Sequence, residues 1–367
     1  MSAERKRVLF LMPSLSGGGA ERIVVTILRH LDRSRFEPHL ALVEVSGPYL
    51  EEVPAEVVIH DLQAKRVRQA VPAIVRLCRQ LRPHAIHSTL CELNMATVLL
   101  RPFLPSRVRL LIREGTSPTA QNAFARNRPW VWNWLYRVLY PRADKVICVG
   151  DFVADDLANN LGVPRKKLVR IYNPIDIESL RNAANAAPNP YAGDGPHLVA
   201  AGRLSKEKGF DVLLDAMPRV CAALPNAQLA ILGEGACRAD LLAQRARLGL
   251  NEIVHFAGFE HSPQPYLKYA DLAVLPSRYE GMPGVVIEAL AVGTPVVASD
   301  CPGAVREILH DCPLARLVEP ANPEALAQAI VSALTDKPLR PDGGLDAYLT
   351  RFDATARVRD YEREFEA

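Results

Sequence analysis

Thirteen short apolar runs rich in Val, Ile and Leu alternate with helical patterns along this chain, and that alternation restricts it to a parallel-sheet α/β architecture. The runs form two series. The first lies at 8–12, 39–45, 57–60, 85–88, 108–112, 145–149 and 168–171, with helical segments such as 20–31 and 69–81 between the runs. The second, at 197–201, 228–232, 253–256, 272–275, 295–298 and 316–318, follows a polar, Ala/Asn/Pro-rich stretch at 181–196 that reads as a linker. With 367 residues, 49% of them hydrophobic, the chain is long enough for two cores. The expectation is two doubly wound Rossmann-like domains, 1–180 and 190–345, facing across a cleft, with ligands beyond the carboxyl ends of the strands.

Several classes of protein fit this sequence poorly. The N-terminus runs from Arg5, Lys6 and Arg7 straight into a strand pattern, unlike a secretory signal, and no apolar stretch reaches the ~18 residues of a membrane span. Seven cysteines without a C-x-x-C pair suit a reduced cytosol better than a disulfide framework or a zinc site. Residues 1–180 carry 26 Lys and Arg against 17 Asp and Glu, a net of +9, whereas residues 181–367 carry 18 against 24, a net of −6. One half thus suits an anionic partner, but an overall charge of +3 is too mild to argue for nucleic acid.

The chemistry-bearing motifs lie where the runs end. SLSGGGAER at 14–22 follows the first run and opens a helix, so the glycines at Gly17–Gly19 and the helix N-terminus suit a diphosphate or substrate. A dinucleotide fingerprint would need glycine where Arg22 stands, which disfavours a dehydrogenase. In GRLSKEKG at 202–209, Arg203 and Lys208 leave a run and enter a helix, one able to bind a diphosphate through two donors and the other acting as a point charge. The alternative is two solvated surface charges. Gly233 in ILGEG gives the chain freedom to pass near a nucleoside, and the backbone by Phe259 in HFAGF suits a base edge, although core packing would equally explain that ring. RYEGMPGVVIEALAVG at 278–293 sets Glu280 before a Gly-Met-Pro-Gly turn and Glu288 one turn inside an apolar helix. Buried carboxylates need partners, and vicinal sugar hydroxyls are suitable donors. Local capping by Glu288 and solvation of Glu280 is the alternative.

Taken in order, SGGGAE, GRLSKEKGFD, LGEG and SRYEGMPGVVIEALAVGTPVVASD resemble the retaining glycosyltransferases of family 4, which have the GT-B fold. The resemblance covers nearly the whole chain and is strongest from 202 to 300. It implies that Arg203 and Lys208 bind the donor diphosphate, that Glu280 contacts the donor sugar, and that Glu288 holds the nucleotide ribose. It implicates Gly18, Gly19, Gly281, Met282 and Pro283 as flanking the phosphates and sugar, and it implies a C-terminal helix, about 350–367, returning to the first domain. Cations and helix N-termini would stabilise the leaving diphosphate, with no Asp-x-Asp pair in the sequence to hold a metal. His84 and His87 read as strand-end residues. The expected reaction is metal-independent transfer with retention, from a UDP-hexose or UDP-N-acetylhexosamine, with the leaving phosphate taking the acceptor's proton.

For the acceptor, Arg113 and Glu114 end a run of the first domain and suit a phosphate and a sugar hydroxyl, or else form a surface pair. Lys65, Arg66, Arg68, Arg76, Arg79 and Arg82 line a segment without a single acid. The segment from Arg126 to Arg142 sets Trp130, Trp132, Trp134, Tyr136 and Tyr140 among arginines. Cations interleaved with aromatics suit lipid headgroups, the alternative being a core-facing helix with a solvated edge. The reading is a cytoplasmic enzyme, peripheral on the inner membrane's cytoplasmic face, acting on a lipid-linked glycan or polysaccharide acceptor. A GT-B nucleotide-sugar epimerase and a non-catalytic nucleotide-sugar-binding protein are the competing readings.

Overall fold

The first run, VLFLM, lies within a strand that is paired on both sides and covered on both faces, which explains its lack of polar alternation. A computed structural model describes residues 5–16, 18–335 and 344–367 of the chain; Gly17, named above, lies outside the described residues. It divides into two units, 1–175 with 352–367, and 176–351.

In the first unit the strands are β1 (Lys6–Met12), β2 (Phe36–Leu42), β3 (Val58–Asp61), β4 (Ala85–Thr89), β5 (Arg109–Glu114), β6 (Lys145–Cys148) and β7 (Leu168–Arg170). Among the described residues they form one parallel sheet, ordered β3-β2-β1-β4-β5-β6-β7. Its helices are α1 (Gly19–His30), α2 (Val67–Leu81), α3 (Cys91–Leu99), α4 (Pro118–Ala125), α5 (Pro129–Leu139) and α6 (Asp151–Asp155). The second unit begins with α7 (Ile177–Ala186). Strands β8 (His197–Ala201), β9 (Gln228–Leu232), β10 (Val254–Gly258), β11 (Leu272–Leu275), β12 (Val296–Ser299) and β13 (Ala315–Val318) build its parallel sheet, ordered β10-β9-β8-β11-β12-β13. Helices α8 (Phe210–Ala223), α9 (Arg238–Arg247), α10 (Gln264–Tyr269), α11 (Gly284–Ala291), α12 (Val305–Leu309), α13 (Pro323–Thr335) and α14 (Leu345–Leu349) cover it, and α15 (Ala354–Glu366) belongs to the first unit.

Helix α15 is held there by apolar burial. Val358, Tyr361 and Phe365 join Phe10, Phe36 and the Ile27–Leu28 face of α1 in one core, each side chain contributing roughly 1.5–3 kcal/mol. Asp353 caps the helix by accepting from the Ala356 amide at 2.9 Å. The chain leaves the unit at Ile175 and re-enters beside it, where the Ile175 amide donates to Phe352 and the Ala354 amide to Ile175. Buried Glu362 accepts from the Asp32 amide at 2.8 Å and from Arg35 at 3.1 Å, tying α15 to the turn before β2.

Two sequence readings change. The stretch read as a linker is helical through Ala186, because Asp176 caps α7 by accepting from the Ser179 amide and because Leu180 and Ala184 are buried. His87 is not a strand-end residue. It lies within β4, fully buried against Phe10, Tyr361 and Phe365, and neither ring nitrogen has a hydrogen-bond partner among the described residues. Burial, with nearby Arg113, pushes its pKa down to about 3. With the folded value below the unfolded 6.5, the unfolded chain gains a proton first as pH falls, so stability drops from pH 6.5 towards 3. His87→Leu should remove that slope. Urea unfolding at pH 7 and pH 5 is expected to show wild type losing about 2 kcal/mol more than the variant; equal losses would show that His87 does not titrate this way.

Candidate active site

In a doubly wound sheet, the crevice opens where neighbouring strands send their connections to opposite faces. In the second unit that switch falls between β8 and β11, which are paired in the sheet. The loop after β8 carries Arg203 and Lys208, and the loop after β11 carries Glu280. The fold therefore brings together residues 72 positions apart in the chain.

Lys208 Nζ donates to Glu280 Oε1 at 2.7 Å, and the fully buried Ser277 hydroxyl donates to the same oxygen at 2.6 Å. Glu280 is 6% exposed, yet Oε2 makes no hydrogen bond among the described residues. Two donors on one oxygen fix the carboxylate's direction and leave the other oxygen available to a ligand hydroxyl. Arg203 is exposed. It acts on Tyr279, whose phenol is pushed up to about 12 by burial and by Glu207 and Glu280, with Arg203 opposing. The Cys301 thiol, also pushed up to about 12 by burial and by Glu280, is protonated and inert at neutral pH.

The Glu280 loop is strapped to the loop after β12. Glu280 N donates to Pro302 O at 2.9 Å and Ala304 N to Gly281 O at 2.8 Å, with Gly303 between them. Gly281, Met282 and Pro283 are buried at the mouth of α11, where Pro283 precedes the first helical residue. Glu288 is 8% exposed, and its Oε1 lies 3.7 Å from where a Cβ on Gly284 would sit. Its carboxylate therefore folds back towards the helix start, where the dipole of α11 favours negative charge.

The glycine turns have more specific causes than chain freedom. Gly233 has φ +133, and a Cβ there would meet the Gly202 carbonyl at 2.0 Å, so only glycine lets the β9 turn touch the β8 turn. Phe259 is not a core ring: it is 41% exposed and meets His261 edge-on at 5.0 Å. Sequence reading missed Ser277, although a hydroxyl three residues before Glu280 at a strand end was a visible signal. It also missed the ion pair of Arg278 with Asp211, 67 positions away, for which spacing gives none.

In the first unit Gly18 precedes α1 and Gly19 opens it; a Cβ on Gly19 would meet nothing within 4 Å. Arg113 and Glu114 are 2% and 3% exposed, so they are not a surface pair. Successive β5 residues face opposite ways. Arg113 donates to Thr89 and Asn173, whereas Glu114 accepts from Tyr136 at 3.1 Å and Tyr140 at 2.6 Å. Burial raises the Glu114 pKa despite those two hydroxyls. Tyr136 and Tyr140 are thus core residues, and the aromatic segment divides: Trp130 and Trp134 stand 70% and 58% exposed, while Trp132 packs under the Arg126 guanidinium at 3.9 Å. On α2, Ala70, Ile74 and Cys78 are buried, and Arg68, Arg76 and Arg79 are exposed. Among the described residues no helix is long and apolar enough to cross a membrane.

Residues 195–336 match the family described as Glycosyl transferases group 1, and residues 17–179 that described as Glycosyltransferase Family 4. The N-acetylgalactosamine-N,N'-diacetylbacillosaminyl-diphospho-undecaprenol 4-alpha-N-acetylgalactosaminyltransferase of Campylobacter jejuni is 32% identical over 338 residues, 89% of this chain and 90% of that enzyme. The chain belongs to the group 1, family 4 glycosyltransferases. Another relative of this glycosyltransferase, a phosphatidyl-myo-inositol mannosyltransferase of Mycobacterium leprae, is 29% identical over 80% of this chain and 87% of its own. An Anabaena protein crystallised in complex with UDP and glucose superposes with a TM-score of 0.82 at 21% identity, covering 99% of this chain and 100% of that one. The fold is GT-B, with two Rossmann-like domains, as the resemblance implied.

Proposed function

We propose that this glycosyltransferase moves a hexose or N-acetylhexosamine from a UDP-sugar to a lipid-linked glycan or polysaccharide acceptor, with retention and without a metal. The observation that carries the proposal is the Lys208–Glu280 pair at the β8/β11 switch point, with one carboxylate oxygen spared. Lys208, Arg203 and the α11 N-terminus supply positive charge where a diphosphate leaves. Glu280 Oε2 takes a sugar hydroxyl, and Glu288 a ribose hydroxyl. The acceptor oxygen attacks the face the diphosphate vacates, and its proton passes to the leaving phosphate. Gly281, Met282, Pro283 and Gly233 flank the donor as shape rather than charge.

The donor class is supported by the Anabaena structure holding UDP and glucose, and the acceptor class by the Campylobacter enzyme, whose name specifies a diphospho-undecaprenol carrier. Exposed Trp130 and Trp134 on α5, with the arginines of α2, suit an anionic membrane surface on which such an acceptor resides. One assay tests the whole reading: purified protein, a panel of UDP-sugars and extracted lipid-linked acceptors in anionic vesicles, with EDTA throughout. Transfer giving an axial anomer from an axial donor is expected, with the protein sedimenting with vesicles at low salt. Donor consumption without acceptor would indicate an epimerase. Inversion, dependence on added magnesium, or failure to sediment would each overturn the corresponding part.

A further inference from the structure

One residue two positions from Glu280 has no role in the chemistry above, yet it bonds to the chain on both sides of Lys208. Arg278 Nη1 and Nη2 grip the Asp211 carboxylate at 2.7 and 2.6 Å, on the first turn of α8. Nη1 also donates to the Lys206 carbonyl at 2.7 Å, and the Arg278 amide donates to the Glu207 carbonyl at 2.7 Å. Residues 206, 207 and 211 bracket Lys208. The turn between them needs the αL conformation of Gly209, φ +65, and passes so close to the β11 end that a Cβ there would meet Pro276 O at 2.0 Å.

We propose that Arg278 is a positioning residue of the donor site, holding the 203–211 loop against the 276–283 loop so that Lys208 and Glu280 meet the donor already in place. A guanidinium suits this role because its planar fork engages a carboxylate and a carbonyl at once, which an ammonium cannot do with fixed geometry. A prepositioned lysine avoids ordering a loop as the donor binds, and its charge arrives at the leaving oxygen without reorganisation. The inference rests on the donor reading above, in which Lys208 faces the diphosphate.

A double-mutant cycle tests it, with kcat/KM for the donor and the Kd of the tightest of UDP, GDP and ADP as readouts. Arg278→Gln and Arg278→Lys are each expected to lower kcat/KM about tenfold and weaken nucleotide binding several-fold, a 1 Å misplacement being enough for losses of that order or larger. Both variants should melt close to wild type. In the Lys208→Met background, where the lysine it positions is gone, Arg278→Gln should cost several-fold less than in wild type, because residues acting through one group are non-additive. An equal fold-loss in both backgrounds, or no loss in wild type, would overturn the positioning role while leaving the donor reading intact. Wild-type activity in Lys208→Met would overturn the donor reading itself.

Discussion

Lys208→Met should lower turnover with the nucleotide-sugar by about 10²–10³-fold, the usual cost of deleting one preorganised group aimed at developing charge. Two effects combine. In the proposed reaction the leaving diphosphate loses an ammonium, and Glu280, 6% exposed, keeps only the Ser277 hydroxyl on Oε1. A buried carboxylate stripped of its cation is held less firmly and costs more to keep ionised. The loss should therefore fall on kcat as well as KM. Glu288→Ala is a contrast: a ribose contact made equally in ground and transition states should raise KM and nucleotide Kd by about tenfold or more with kcat nearly unchanged. Steady-state kinetics on both variants decide it. If Lys208→Met changed KM alone, the lysine would bind the donor without acting on the leaving group.

Much of the fold is legible in the sequence, for identifiable reasons. A strand buried on both faces has to be continuously apolar, so runs such as VLFLM and LAVL announce themselves. The second strand begins at Phe36, three residues before its apolar run, with Pro38 inside it; β3 joins β2 only from His39, so Pro38 lies ahead of that pairing. Arg203, Lys208, Glu280 and Glu288 stood out because charges at strand ends and helix starts contradict the surrounding apolar pattern. The surface-pair alternative for Arg113 and Glu114 fails by the same logic. A charge pair at a strand end reads as exposed, and nothing local shows that Asn173, Tyr136 and Tyr140 will enclose it. Partners that fold together from 22 to 72 positions away leave no periodic trace, and the Arg278–Asp211 and Lys208–Glu280 pairs are of that kind. The glycines show the opposite failing: visible as residues, they gave no sign of which backbone they had to touch.

Gly303 is the position where that hidden contact matters most, and Gly303→Ala should reduce turnover by about 10²-fold although the substitution adds one methyl group and no charge. The residue has φ +137, a conformation that side chains rarely adopt, which costs of order 1–3 kcal/mol. The new Cβ would also lie 2.2 Å from Glu280 O and 2.8 Å from Glu280 C, backbone atoms with no rotamer by which to escape. The strap of Glu280 N to Pro302 O and Ala304 N to Gly281 O flanks the same spot, so relief requires the two loops to separate. Separation moves Glu280 relative to Lys208 and Ser277, whose bonds of 2.7 and 2.6 Å do not survive a shift of about an ångström. Gly293→Ala distinguishes strain from displacement. Gly293 also has positive φ, +86, at the end of α11, but its Cβ would meet nothing within 4 Å. Its variant should lose stability by about 1 kcal/mol or a little more and keep its turnover. If thermal melting and kinetics showed the two alanine variants alike, the damage at 303 would be backbone strain alone, and the strap would have no part in aiming Glu280.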